Sequence, residues 1–270
     1  MLALFCAGPS TAEQAEPLRN LTVESGGKVL EIRPQTPEEA YAYLAGLHRD
    51  MDFFKANGYD VALPNHPAFA ADAESLGSVE LFADEVYRLS AFETALGVLA
   101  EKSSTLRDAL AAYESFEGLE GFRSFDRYRV TLTLYGPGGS YHPDSGGIVL
   151  LTTPDGRFKG GGGVHTIVHE MMHLAVEDGL VQRFGLSHWE KERLVDFLVK
   201  REFRELLPNY ELQSSGADAL GPYLAEAPIS AVADALRRYR ADRESQKPEA
   251  RSEGPKKHKP TVNAPRPGLQ

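Results

Sequence analysis

Apolar positions in the first third of the chain alternate at first and then recur at helical spacing, which predicts a hairpin followed by helices. Residues 21–33 alternate apolar and polar side chains around Gly26-Gly27, a pattern typical of a β-hairpin. Thr36 then has the position of an N-cap, with Pro37 in the first turn and Glu39 closing a capping box. This helix is expected to end at Gly58. Two further helical stretches follow, residues 78–100 and 103–116.

The middle of the chain contains two strand patterns and one strongly apolar helix. Residues 128–135 and 148–153 are rich in β-branched side chains and are predicted to be strands, separated by a glycine-rich turn over residues 136–147. Residues 164–180 are apolar on several sides, as in a helix packed inside a protein.

A second long helix is predicted over residues 187–207. Ser187 and Glu190 have the spacing of a capping box at its start, and Pro208 marks its end. Shorter helical stretches follow at residues 217–226 and 230–242. The whole pattern indicates an α+β fold that is predominantly helical.

The helix predicted over residues 164–180 carries the sequence His169-Glu170-Met171-Met172-His173. Residues four apart in a helix point in the same direction, so His169 and His173 present two imidazoles to one point. That spacing suits a single Zn²⁺ ion. Glu170 is rotated by about 100° from His169, which places its carboxylate beside such an ion. From there it can take a proton from a metal-bound water and return it to a leaving amine.

A catalytic zinc site also needs a third protein ligand and an open position. The continuation H-x-x-G-x-x-H is absent, because Val176 and Gly179 stand where it needs a glycine and a histidine. The second helix instead offers Glu192 and, one turn later, Asp196, both on its apolar face. Carboxylates on such a face are costly unless partners stabilise them, whereas an exposed acidic pair, the alternative interpretation, would be mildly repulsive.

Glu190 competes with Glu192 for the role of third ligand. The two side chains are about 200° apart on the helix and cannot both face one ion. Glu190 already closes the capping box with Ser187 and lies away from the apolar face. The sequence therefore predicts Glu192 as the ligand.

His169-Glu170-x-x-His173 followed by Glu192-x-x-x-Asp196 resembles the gluzincin metallopeptidases, the thermolysin-like group, over residues 146–207. The resemblance implies that His169, His173 and Glu192 bind Zn²⁺ and that Glu170 is the general base. It further implies that Asp196 orients a zinc-binding histidine. The implied fold is zincin-like, with a small sheet beside the HExxH helix. The Asn-Ala-aromatic stretch of the thermolysin substrate strand is absent.

Such a site also needs a hydrogen-bond donor for the oxyanion that develops in the transition state. Three residues are possible oxyanion or substrate contacts: Tyr210 beyond the second helix, His188 at its start and His165 one turn before His169. His165 alternatively only packs near the metal.

The strand over residues 148–153 lies just before the HExxH helix. In zincins the strand in this place borders the cleft, and its free N–H and C=O groups pair with an extended peptide. An inner strand of a small sheet is equally consistent with the sequence.

These patterns divide the chain into four segments. Residues 1–15 are predicted to be a signal or lipoprotein leader, 16–125 a hairpin with helices, 126–242 the zincin-like catalytic region and 243–270 a disordered tail. Cys6 lies in a loose lipobox that would provide an N-terminal lipid anchor, although a frayed apolar N-terminus is the alternative. Export from a bacterial cell, to the periplasm, the cell surface or the medium, is expected.

The amino-acid composition mainly excludes certain classes of partner and structure. The 270 residues include 42% hydrophobic side chains and carry a net charge of −10, which allows a sizeable core and argues against a nucleic-acid partner. No apolar run is long enough to span a membrane. Cys6 is the only cysteine, so no intrachain disulfide can form.

The sequence thus predicts a zinc-dependent metallopeptidase that acts on a peptide or protein substrate. A second hypothesis is a zinc hydrolase of a non-peptide amide or ester. A third is a non-catalytic binding protein with a vestigial zinc site, against which the intact Glu170 argues, since a purely structural site has no need of a base.

Overall fold

The structure is a computed structural model that describes residues 20–56, 58–71, 73, 75–159, 162–212, 219–225 and 227–245. The predicted leader, Cys6 and residues 246–270 lie outside this range. The described fold is α+β and predominantly helical, as the sequence predicts. Its strands are β1 (Leu21–Ser25), β2 (Lys28–Pro34), β3 (Arg127–Thr133), β4 (Gly139–His142) and β5 (Gly147–Leu151). Its α-helices are α1 (Pro37–Arg49), α2 (Met51–Ala56), α3 (Val79–Leu81), α4 (Glu93–Glu101), α5 (Ser103–Glu114), α6 (Gly163–Val176), α7 (His188–Glu202), α8 (Gly221–Ala225) and α9 (Val232–Ser245).

The five strands form one mixed sheet in the order β1-β2-β3-β5-β4. β1 and β2 are the predicted hairpin, and the pairing of Ser25 with Lys28 closes a two-residue turn. Gly26 and Gly27 both have positive φ, 54° and 80°, which only glycine adopts readily in such a turn. β2, β3 and β5 are parallel, whereas β4 is antiparallel to β5. The predicted N-terminal and catalytic regions therefore contribute to the same sheet.

The place of β5 in the sheet decides between the two interpretations of the sequence, an edge strand along the cleft or an inner strand. β5, the strand before the HExxH helix, is an inner strand between β3 and β4. The edge strand next to β5 is β4, which lies inside the stretch predicted to be only a turn. Its sequence, Gly139-Ser140-Tyr141-His142, has no apolar alternation. β4 is therefore defined by its pairing with β5, a long-range constraint that a local pattern does not contain.

Two predicted helices are interrupted. The first ends at Arg49 and resumes as α2, and Gly58 follows it with φ 72°. The stretch over residues 78–100 divides into α3, a π-helical turn, a 3₁₀ turn and α4. The break falls at Tyr87, which is extended and donates a hydrogen bond from its hydroxyl to Gln35 O at 2.6 Å.

The main core lies between the sheet and the helices α4 to α7 and α9. α6 runs through it, and all of its residues except His165 and Thr166 are buried. Tyr113 of α5 donates its hydroxyl to Val168 O at 2.7 Å, which fixes α6 against α5. An apolar helix surrounded in this way carries few polar groups, because each buried polar side chain needs a partner to offset the cost of its burial.

The start of α7 is fixed by the predicted capping box. Ser187 and Glu190 exchange both bonds of the box, at 2.7 and 3.4 Å. Glu190 also accepts from Arg243 at 3.0 Å and from the hydroxyl of Tyr239. Glu190 is therefore buried against α9, contrary to the expectation that it lies away from the apolar side. Helix α9 extends to Ser245, beyond the predicted start of the tail.

Candidate metal centre

Three buried side chains of α6 and α7 bring their donor atoms to one point. Nε2 of His169 lies 3.0 Å from Nε2 of His173. Oε2 of Glu192 lies 3.3 and 3.2 Å from these two nitrogens. Ligand atoms bound at about 2.0–2.1 Å to one tetrahedral ion are roughly 3.3 Å apart. The spacing and the chemistry of this N₂O set therefore fit a single metal ion, and the group can hold one.

Helical periodicity explains why these atoms meet. His169 and His173 are one turn apart on α6, and Glu192 and Asp196 are one turn apart on the buried face of α7. The two helices pack against each other, so the two pairs face one another. The cap at Ser187 fixes where α7 begins and hence which of its side chains reach α6.

Burial and neighbouring charges shift the pKa of each of the three candidate ligands. Burial alone would raise the pKa of Glu192, but hydrogen bonds from His169 and His173 hold it well below its usual range. Burial lowers the pKa of His173 to about 4, so its imidazole is neutral at physiological pH. Burial acts in the same direction on His169, yet the Glu192 hydrogen bond and nearby carboxylates outweigh it and raise the pKa.

Tyr210 connects His169 to Asp196. Its hydroxyl donates to Oδ1 of Asp196 at 2.7 Å and lies 2.6 Å from Nδ1 of His169. The direct distance from Nδ1 to Oδ1 is 3.5 Å. Burial, then the charge of Asp196, raise the pKa of Tyr210, so the hydroxyl keeps its proton. It therefore accepts from Nδ1–H of His169, and a metal that displaces the proton from Nε2 would bind that nitrogen.

His173 is positioned differently. Its Nδ1 is buried and has no hydrogen-bond partner among the described residues. The ring stacks on Tyr141 of β4, with centroids 4.7 Å apart and planes 6° from parallel. Packing against the edge strand, rather than a hydrogen bond, therefore orients this histidine.

Glu170 lies beside the three ligands, as the helical spacing predicts. It is 6% exposed, and burial raises its pKa to about 7. The carboxyl approaches β4 so closely that a Cβ added at Gly139 would lie 2.3 Å from Oε1 of Glu170. A carboxyl with a pKa near neutrality, next to a metal position, is suited to accepting and returning a proton.

A cavity of about 940 Å³ opens onto the ligands and Glu170. One of its walls is β4 with the turn before it, and α7 contributes another. All the site residues predicted from sequence line it: His165, His169, Glu170, His173, His188, Glu192, Asp196 and Tyr210. The cavity has the size of a binding site for a substrate.

The structure adds three residues that the sequence patterns do not identify. Tyr141 of β4 donates its hydroxyl to Oε2 of Glu177 at 2.6 Å and accepts from Lys191 at 3.0 Å. The Lys191 ammonium also lies 3.8 Å from Oε1 of Glu192. No local signal reveals this group, because its members come from a strand, the π-helical turn after α6 and α7.

His188 and His165 occupy the periphery of the site. Nδ1 of His188 lies 3.8 Å from Oε1 of Glu192, and its Nε2 is 3.0 Å from the hydroxyl of Tyr59. The His165 ring lies parallel to Tyr210, with centroids 6.2 Å apart. Both histidines line the cavity without belonging to the ligand set.

No family model, curated protein or solved structure matches this chain. Among the residues that the structure describes, no helix is both long and apolar enough to cross a membrane. The geometry of the site is therefore the basis for a functional proposal.

The bridge through Tyr210 predicts an effect on metal affinity. Tyr210→Phe removes the hydroxyl that orients His169, and we expect about tenfold weaker zinc binding in a competition titration with a chromophoric chelator. Asp196, already 3.5 Å from Nδ1, takes over part of the role and limits the loss. Tyr223→Phe removes a hydroxyl that donates to Asp242 and does not line the cavity, and is the matched control. Equal affinity in both variants would show that the bridge does not position the ligand.

Proposed function

We propose that this protein is a zinc-dependent metallopeptidase of the gluzincin type, with a zincin-like arrangement of sheet and HExxH helix. The observation that carries the proposal is the place of Glu170. It adjoins the three candidate ligands, faces the cavity and is held in a setting that raises its pKa to about 7. A site that only binds a metal for structural reasons needs no such carboxyl.

The proposed mechanism assigns proton transfer to Glu170. A bound zinc ion would supply Lewis acidity, acidifying a water molecule and polarising the scissile carbonyl. Glu170 accepts the proton of the attacking water at its carboxylate and delivers it to the nitrogen of the leaving amine. Its carboxyl lines the cavity beside the candidate ligands, where both transfers would take place.

β4 provides the surface for an extended peptide. Among the described residues it pairs with β5 alone, and its residues Gly139, Ser140 and Tyr141 line the cavity. Unpaired backbone groups on an edge strand bind another extended chain through main-chain hydrogen bonds. This support favours a peptide over a small non-peptide ester, which has no repeating backbone to pair.

The donor to the developing oxyanion is assigned to α7. Tyr210 gives its only hydroxyl proton to Asp196 and is therefore engaged away from the substrate. Lys191 donates one bond to Tyr141 and retains further N–H groups close to Glu192. His188 lies at a similar distance from Glu192 and is the second candidate.

Export from the cell and a lipid anchor at Cys6 stay predictions from the sequence.

Glu170→Gln should retain zinc and lose turnover. The amide is close in shape to the carboxyl but cannot accept the proton, so we expect kcat to fall at least about 100-fold. The measurement is cleavage of casein, with and without a chelator, alongside elemental analysis of each preparation. Chelator-sensitive cleavage by the wild type distinguishes a peptidase from an esterase and from a binding protein. Wild-type turnover by the variant would refute the mechanism.

Gly139→Ala should separate catalysis from metal binding. Its Cβ would displace the carboxyl of Glu170, and a misplacement of about 1 Å can cost roughly 100-fold in rate. Zinc content should be unchanged, because Gly139 faces the base and not the ligands. Gly97→Ala in α4 adds the same methyl group where no atom lies within 4 Å, and is the control. Undiminished activity in Gly139→Ala would mean that the position of Glu170 is unimportant.

A further inference from the structure

Aromatic side chains form a shelf next to the cavity, and two of them line it. The aromatic shelf consists of Phe53, Phe54, Tyr59 and His188. The rings of Phe53 and Tyr59 are stacked at 6.4 Å and 25°. Tyr59 and His188 line the cavity and are joined by their 3.0 Å hydrogen bond. Phe53 does not itself line the cavity, but it stacks on Tyr59, which does, and at 55% it is the most exposed large apolar side chain among the described residues.

Local sequence fixes the shape of this shelf. Gly58 follows α2 with φ 72°, and its N–H donates to Lys55 O at 3.2 Å. The N–H of Tyr59 donates to Phe54 O at 2.9 Å. These two bonds form a Schellman motif, in which the residue after the glycine packs back on the last turn of the helix. Tyr59 accordingly meets Phe54 edge-on, with centroids 5.9 Å apart. The shelf is preformed.

The shelf is continuous with the edge strand. Ala62, which follows Tyr59, exchanges two backbone hydrogen bonds of 2.9 Å with Gly136 in the turn before β4. On the other side, His188 connects the shelf to Glu192 across 3.8 Å. A peptide substrate lying along β4 would therefore occupy the same cavity that Tyr59 and His188 of the shelf line.

We propose that the aromatic shelf is a subsite for one aromatic or large aliphatic side chain of the peptide substrate. The inference rests on the proposed function, since it takes the occupant to be a chain that pairs with β4. Side chains of an extended peptide project alternately, so one can lie on the shelf while the backbone stays on the strand. An exposed aromatic surface beside a substrate cavity is suited to that contact, because flat rings stack favourably.

The test measures binding without requiring turnover. Trp189 is the only tryptophan, and its ring lies 4.7 Å from that of His188, so its fluorescence reports on the shelf. The protein is the full zinc-loaded chain carrying Glu170→Gln. The probes are blocked alanine peptides of equal length, without and with a single phenylalanine moved along the chain. At its best position, phenylalanine should tighten binding about tenfold, equivalent to about 1.4 kcal/mol.

Two exposed positions provide the variant and its matched control. Phe53→Ser removes the ring that stacks on Tyr59 and should reduce the tenfold preference to about twofold or less, whereas Leu89→Ser, at an exposed site outside the shelf, should leave it intact. Three results would each overturn the proposal. They are an unchanged preference in Phe53→Ser, the absence of a preference at every phenylalanine position, and tighter binding of a carbohydrate probe, cellohexaose, than of the best peptide.

Cleavage by the protein with Glu170 intact separates this inference from the proposed function. Binding preference without any hydrolysis would support the shelf and count against the peptidase. Hydrolysis with equal kcat/KM for the alanine and phenylalanine peptides would support the peptidase and reject the shelf.

Discussion

Carboxylates inside an apolar core are costly, and that cost shapes the centre of this molecule. Glu192 and Asp196 face α6 from the buried side of α7, and each is at most 7% exposed. Glu192 is stabilised by the imidazoles of His169 and His173, and Asp196 accepts a hydrogen bond from the hydroxyl of Tyr210. Removing one partner from such a set leaves a buried polar group without compensation. The contact between α6 and α7 is therefore also the contact that assembles the metal ligands.

The same contact makes the environment of the base. The carboxyl of Glu170 lies beside the ligands and against β4, where only a glycine at position 139 allows the strand to come so close. Burial there raises the pKa of Glu170, while the hydrogen bonds from two histidines keep that of Glu192 low. Two glutamates in one cavity thus differ in pKa because their neighbours differ, and this difference separates a ligand from a proton acceptor.

Sequence reasoning succeeded where the determinants are local. Thr36 and Ser187 mark helix starts through capping boxes that the structure contains, and the one-turn spacing of His169 and His173 is enough to predict that their donor atoms meet. The position of Glu170 beside these two histidines also followed from the 3.6-residue period of the helix.

The features that escaped prediction depend on contacts between distant segments. β4 has no alternating pattern and is a strand only because β5 pairs with it. Tyr141 stacks on His173 through that pairing, so its place at the site was not readable from the sequence. Tyr210 was identified as a possible substrate contact, whereas the structure places it between Asp196 and His169. The choice between these two roles required the distances.

The most direct test of the central claim is the zinc content of matched glutamate variants. Wild type, Glu192→Gln and Glu190→Gln are loaded with zinc, dialysed against a buffered chelator and analysed for metal. We expect one zinc per chain in the wild type and in Glu190→Gln, whose side chain still caps α7, and almost none in Glu192→Gln. A full equivalent of zinc in Glu192→Gln, or its loss only in Glu190→Gln, would contradict the account of the site.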